Sequence, residues 1–436
     1  MSVPPTTKSR KADPSVRIPK LPPLVDGFSG TLTFPETVQS LERLFFSHWS
    51  LLRVLSGTII WVPEIETKVF LSHCIYMHAE IASALKRRLT ELRVRDSKLV
   101  DIPEAIDIVA NELLSCASAG ELVHGYSVLV EHLQSEQDRF VQATDPLLDR
   151  PSLQILSRFA ADLSRASTWL LRARIGYLDV EPGCSQFADH IRAVSTALAS
   201  GREFPGLRQR DGIGYVRTTE CARDSRFALF HESRAYSPAD DEDASADDYT
   251  ADRLELARTQ RDEIDAIETF ANVLFDVHAK PFELAEQLAR FVEDEARHVE
   301  VGHALLADLG YDPFALPCSI IGINVRAPMP PVLAFAQLNI FGELNVVSRL
   351  NVLTQRAYSR GDDVVGKAFD FVHADELTHV RRGRKILREM APSESLVELE
   401  ERAHRLAARR LAEEGVLGED YALAMSRKEI GDLIGE

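Results

Sequence analysis

A nine-residue pattern occurs twice in this chain, and no other feature limits its fold so sharply. Asp294-Glu295-Ala296-Arg297-His298-Val299-Glu300-Val301-Gly302 and Asp375-Glu376-Leu377-Thr378-His379-Val380-Arg381-Arg382-Gly383 share the core D-E-x-x-H-V-x-x-G. In each copy a Glu and a His stand three residues apart, so on a helix both project from one face. Two such helices facing each other, plus one Glu from each of two further helices, build a dinuclear carboxylate site inside a four-helix bundle.

Two further Glu residues stand in the required order. Ile264, Glu268, Ala271 and Phe275 form one helical stripe upstream of the first copy. Ala336, Ile340, Glu343, Val347 and Leu350 form another upstream of the second. A carboxylate in an apolar stripe is costly to bury without a partner, and a metal would be such a partner. The expected ligand set is therefore Glu268, Glu295, His298, Glu343, Glu376 and His379. His373 stands one turn before Glu376, either as a seventh ligand or as a core histidine. His278 and His303 are expected to be structural.

The motifs lie where core residues belong. Leu284, Leu288, Phe291, Glu295, His298 and Gly302 share one face, and Phe369, Val372, Glu376, His379 and Gly383 share another. Gly302 and Gly383 follow each His by one turn, and their small size would let helices approach closely. Phe275, Phe291, Leu288, Phe341 and Leu344 would line an apolar pocket or simply fill the core. A metal-bound His usually donates its other ring N–H to a carboxylate. By near-two-fold symmetry, Asp294 would serve His379 and Asp375 would serve His298. Arg297 could pair with one of these aspartates. Its counterpart Thr378 could not, so the two halves are electrostatically unequal.

These motifs resemble those of the ferritin-like carboxylate-bridged di-iron superfamily. The similarity is greatest to a bacterial branch carrying D-E-A-R-H and A-D-E-x-T-H-V, here Asp294–His298 and Ala374–Val380. It spans residues 257 to 390. It implies an all-α fold with a ferritin-like four-helix bundle. It also implies a non-haem di-iron oxidase or oxygenase acting with dioxygen on a small organic substrate, with an electron-donor protein as a compatible partner. Glu268 and Glu343 would be terminal or bridging ligands, Glu295 and Glu376 bridges, and His298 and His379 the caps of the two metals. Carboxylate and imidazole ligands without thiolates suit two iron ions, with Mn/Fe or Mn/Mn pairs as alternatives. The competing expectations are a ferroxidase, peroxide-scavenging or storage bundle, and an interaction scaffold stabilised by its metal.

At 436 residues the chain is long for a single bundle. Residues 1–35 read as an irregular arm without a signal peptide. Residues 36–178 read as helices at 37–56, 64–95, 103–116, 120–143 and 151–177, with no metal. Residues 179–250 read as a connector with a helix at 185–200, a short strand at 212–216 and the acidic loop from Asp240 to Asp248. Residues 251–390 form the metal bundle, with Pro313, Pro317, Pro328, Pro330 and Pro331 in its crossover. Residues 391–436 add two amphipathic helices from 394 to 434. The first helical region is either a degenerate copy of the bundle or an independent one. Asp162-Leu163-Ser164-Arg165-Ala166 overlays the first motif with Leu and Ala at the ligand positions. His73, His78, Glu80, Glu131 and His132 offer no paired E-x-x-H and read as ordinary helix residues.

The net charge of −17 argues against a nucleic-acid partner. No apolar run reaches about 18 residues, so no membrane span is expected. Five scattered cysteines suit a reducing cytoplasm. A homodimer is compatible with all of this.

Overall fold

The computed structural model describes residues 27–200, 202, 206–207, 217–230, 248–278 and 280–413. The side chains of residues 230, 248, 340–346 and 348 lie outside that description. The fold is all-α. No described helix is long and apolar enough to cross a membrane.

The N-terminal helices are α1 (Phe34–Ser56), α2 (Ile65–Glu91), α3 (Glu104–Leu113), α4 (Ala119–Ala143), α5 (Arg150–Val180) and α6 (Ser185–Ala199). Each starts or stops within a few residues of its expected bound, because local chemistry marks the ends. Glu36 accepts from the Thr33 N–H at 2.8 Å to open α1. The Ser118 hydroxyl accepts from the Glu121 N–H at 3.1 Å to open α4.

The second half comprises α7 (Asp248–Asp262), α8 (Ile264–Asp276), α9 (Phe282–Asp308), α10 (Ile321–Arg326), α11 (Pro331–Ala336), α12 (Glu343–Ser359), α13 (Asp363–Met390) and α14 (Leu396–Glu413). Helix α8 packs along α9, and α12 along α13. The crossover between these pairs is not a plain loop. It holds α10, α11 and a π-helical turn, Gln337–Gly342, that runs into α12. Pro330 and Pro331 open α11, where a missing N–H costs nothing. A two-residue parallel pairing joins β1 (Leu229–Phe230) to β2 (Cys318–Ser319), tying the connector to the crossover. The strand expected at 212–216, the loop from 240 to 247 and the helix expected beyond α14 lie outside the described residues.

The two helical halves share one core. Helix α2 packs along α9, and α1 touches α8. A single apolar cluster runs from Leu41, Phe45 and Trp49 through Phe270, Phe291 and Phe335 to Leu411. Leu163 and Ala166, the apolar stand-ins for motif ligands, are buried in it, while Asp162 and Arg165 pair at the surface.

The motif glycines set helix spacing. A methyl group on Gly302 would lie 2.2 Å from the Arg261 backbone nitrogen, so α7 and α9 meet backbone to backbone there. A methyl on Gly383 would strike the Asn339 amide of the π-helical turn.

Candidate metal centre

Helices α9 and α13 bring the two motifs face to face. Glu295, His298, Glu376 and His379 are each at most 2% exposed. Ligand atoms of Glu295, Glu376 and His379 all lie within 4.8 Å of one another. His298 adjoins the same two carboxylates. Its Nδ1 is 3.0 Å from Glu295 Oε2 and 3.3 Å from Glu376 Oε1. His379 Nδ1 is 3.2 Å from Glu295 Oε1 and 3.5 Å from Glu376 Oε2. Each carboxylate thus offers one oxygen to each imidazole, and the two rings stand 6.2 Å apart.

The outer ring nitrogens are held crosswise. His379 Nε2 lies 3.3 Å from Asp294 Oδ2, and His298 Nε2 lies 3.4 Å from Asp375 Oδ2. This is the exchange expected from the motif symmetry. Arg297 donates to both aspartates, at 2.9 Å to Asp375 Oδ2. Arg290 adds a two-pronged contact to Asp294, Nε to Oδ2 at 3.0 Å and the second prong at 2.8 Å. Thr378 instead donates to the Ala374 carbonyl, so Asp294 carries two guanidinium groups and Asp375 one. Arg290 continues outward to the Tyr76 hydroxyl at 3.3 Å, which donates to Glu80 at 3.1 Å.

These contacts set the protonation of the metal-free site. Burial works against charge on His298, but Glu295, Asp375 and Glu376 overcome it and hold the imidazole up at about 10. Burial likewise works against Glu295, but His298 and His379 hold its carboxyl down at about 2. Asp294, despite its burial, is held far below the ordinary carboxylate range by His379 and the two arginines.

Three phenylalanines close one side. The Phe291 ring lies 4.3 Å from that of His379, and Phe270 lies 6.2 Å from it. Phe335 stacks on Phe291 at 6.0 Å and meets Phe270 at 5.6 Å. Asn339 Nδ2 donates to the His379 carbonyl at 3.1 Å.

Glu268, expected in the ligand set, gives one carboxylate oxygen to cations, while its buried Oε2 has no hydrogen-bond partner among the described residues. Successive side chains on a helix turn by about 100°, so Phe270 and Glu268 point about 160° apart. Phe270 takes the position facing His379. The stripe carrying Glu268 faces the N-terminal helices, where the Phe275 ring sits against Gly57. Glu268 is fully buried there, and its Oε1 accepts from Lys68 and Arg223. Lys68 Nζ also donates to the Ile59 carbonyl at 2.8 Å and the Ile60 carbonyl at 3.3 Å. Arg223 reaches Asp265 at 2.5 Å, and burial lifts that carboxyl to about 6.

The remaining expectations separate as follows. Glu343 begins α12, immediately after the π-helical turn, with its side chain outside the described residues. His373 is half-buried. His278 is exposed, and His303 packs against the Phe314 ring at 5.4 Å. Sequence reasoning missed Arg290, whose spacing of four from Asp294 was a usable signal. It also missed Phe270, Phe335, Tyr76 and Asn339, whose roles depend on packing between distant segments.

Comparison of this chain with protein-family models, with characterised proteins and with solved structures gives no match.

Proposed function

We propose that the chain is a ferritin-like di-iron oxidase or oxygenase, holding two metal ions between α9 and α13. The observation that carries this is the crossed geometry of the site. Two carboxylates each divide their oxygens between two imidazoles, which is the arrangement of bridging ligands between two capped ions. The residues fit such a group. Among the described residues Glu376 Oε2 is buried with no hydrogen-bond partner, only the 3.5 Å approach of His379 Nδ1, an arrangement that costs free energy unless something else occupies the centre. The donor set is oxygen and nitrogen only, which suits iron or manganese.

Glu295, His298, Glu376 and His379 would hold the ions, with Glu343 next in line at the start of α12. Two adjacent irons would supply the electrons for reducing dioxygen. The chain's own groups do the rest. Asp294 and Asp375 hold the Nε2 side of each imidazole, keeping Nδ1 aimed inward. Arg290 and Arg297 offset the charge of Asp294, so it stays ionised while buried, and Arg297 also pairs with Asp375. Phe270, Phe291 and Phe335 keep water from one side of the centre.

A scaffold whose metal serves stability alone is the second reading. It is favoured by the pairing of one Glu268 oxygen with Lys68 and Arg223. Anaerobically reduced, iron-loaded protein exposed to dioxygen separates the two. Stoichiometric dioxygen uptake supports the oxidase reading. No uptake by protein shown to hold two irons supports the scaffold.

A further inference from the structure

A cleft of about 510 Å³ lies on α9 outside the metal centre, and none of the metal-binding side chains lines it. Its size falls in the range of small-molecule sites. Its walls are apolar and aromatic. Phe70 and Trp169 stack with ring centres 3.7 Å apart and planes 9° from parallel, so α2 and α5 present one rigid aromatic wall. Val69, Val299 and Phe314 complete it.

The charges around it are unequal. At one end His73 is shared by two carboxylates, Nδ1 with Glu293 at 2.7 Å and Nε2 with Glu300 at 3.5 Å. At the other end Arg226 is shared by Glu66 and Asp224, both at 2.5 Å. Each end therefore keeps one carboxylate charge beyond its cation, even with His73 protonated. Among the described residues, the other cations nearby have closer partners elsewhere, although Arg297 also acts on Glu300 from a distance. Arg297 binds Asp294 and Asp375, while Arg261 binds Asp262 and the carbonyls of Pro313, Leu316 and Pro317. The Phe314 ring already carries one cation, the Arg226 guanidinium at 3.8 Å. His303 contributes a neutral imidazole, since burial and Arg261 lower its pKa.

We propose that this cleft binds a small organic cation: a flat apolar body seated against Phe70 and Trp169, with an ammonium group directed at Glu300 or Glu66. The aromatic wall supplies contact area, and the unbalanced carboxylates select positive charge. The site stands independently of what the metal centre does.

Calorimetric titration of the full chain with three probes of one shape tests it: 2-naphthylmethylammonium, 2-naphthylmethanol and 2-naphthylacetate. The ammonium should bind about tenfold tighter than the alcohol, a difference within reach of one solvent-exposed ion pair together with cation–π support, and the acetate weakest. E300Q alters an exposed residue and should shrink the ammonium's advantage while leaving the alcohol unchanged. W169A should weaken the ammonium and the alcohol alike. Equal binding of ammonium and alcohol, tighter binding of the acetate, no binding by any probe, or unchanged affinities in both variants would overturn the proposal.

Discussion

Asp294 on α9 accepts from His379 on α13, 3.3 Å away, and not from the histidine of its own motif. Asp375 returns the contact to His298. Each helix thus orients the imidazole of the other, and neither motif can work alone. Replacing Asp294 or Asp375 by Asn should preserve the fold and weaken metal retention by about 10–100-fold. Asp294→Asn should be the worse of the two, because it also removes the partner of Arg290. Isothermal titration with Fe(II) or Mn(II) under anaerobic conditions measures this. Wild-type affinity in both variants would show that the crossed contacts do not hold the site.

Metal binding should release protons. Without metal, His298 is held protonated to about 10, and a metal needs its neutral form. Affinity should therefore rise with pH across the range from about 6.5 to about 10, and the heat of binding near pH 7 should depend on the buffer's ionisation enthalpy. The stability of the metal-free protein should change in the opposite sense. A histidine whose pKa is raised by folding contributes stability that is complete below its ordinary value of 6.5. That contribution is lost as pH climbs through about 10. Thermal melts of metal-free protein should fall with rising pH over this window, while metal-loaded melts should not. Matching pH profiles for the two forms would count against the assignment.

Glu268→Gln separates structural from ligand carboxylates. Glu268 neutralises Lys68 and Arg223, so the variant leaves buried cations under-paired and should lose about 3–5 kcal/mol of stability. Its metal content at a temperature where it is folded should equal that of the wild type. Loss of one metal per chain in a folded Glu268→Gln protein would place Glu268 in the ligand set.

The contrast between Glu268 and Glu295 shows what the sequence could and could not tell. Both sit in apolar stripes, and both are buried. Glu295 has its His three residues away and a second copy of the motif to match, so its role is local and legible. Glu268 has partners 200 and 45 residues away, and nothing near it in the chain announces Lys68 or Arg223. The helices were legible because most bury one stripe, and some carry side-chain caps, as Ser118 does for α4 and Asp362 for α13. The crossed aspartates were legible from the symmetry of the two motifs. Two features were not: the π-helical turn before Glu343, and the choice of Phe270 as the α8 residue facing His379. Both depend on how elements rotate against each other once packed.

Two glycine substitutions should move stability in opposite directions. Gly302→Ala places a methyl 2.2 Å from the Arg261 backbone, which can yield only by moving α7. A loss of about 1–3 kcal/mol or more is expected. Gly176, within α5, has open space where a methyl would stand, so Gly176→Ala should be neutral or stabilise by up to about 1 kcal/mol. Denaturant titration of both variants measures the difference, and a Gly302→Ala protein as stable as wild type would contradict the close approach of α7 and α9.

Metal stoichiometry tests the central claim most directly. Protein produced with adequate iron should contain about two metal ions per chain, as the bridging arrangement of Glu295 and Glu376 between two imidazoles requires. Glu295→Ala and His379→Ala should each lose most of that metal while remaining helical by circular dichroism. A wild-type protein that stays essentially metal-free after full loading with iron or manganese would contradict the account.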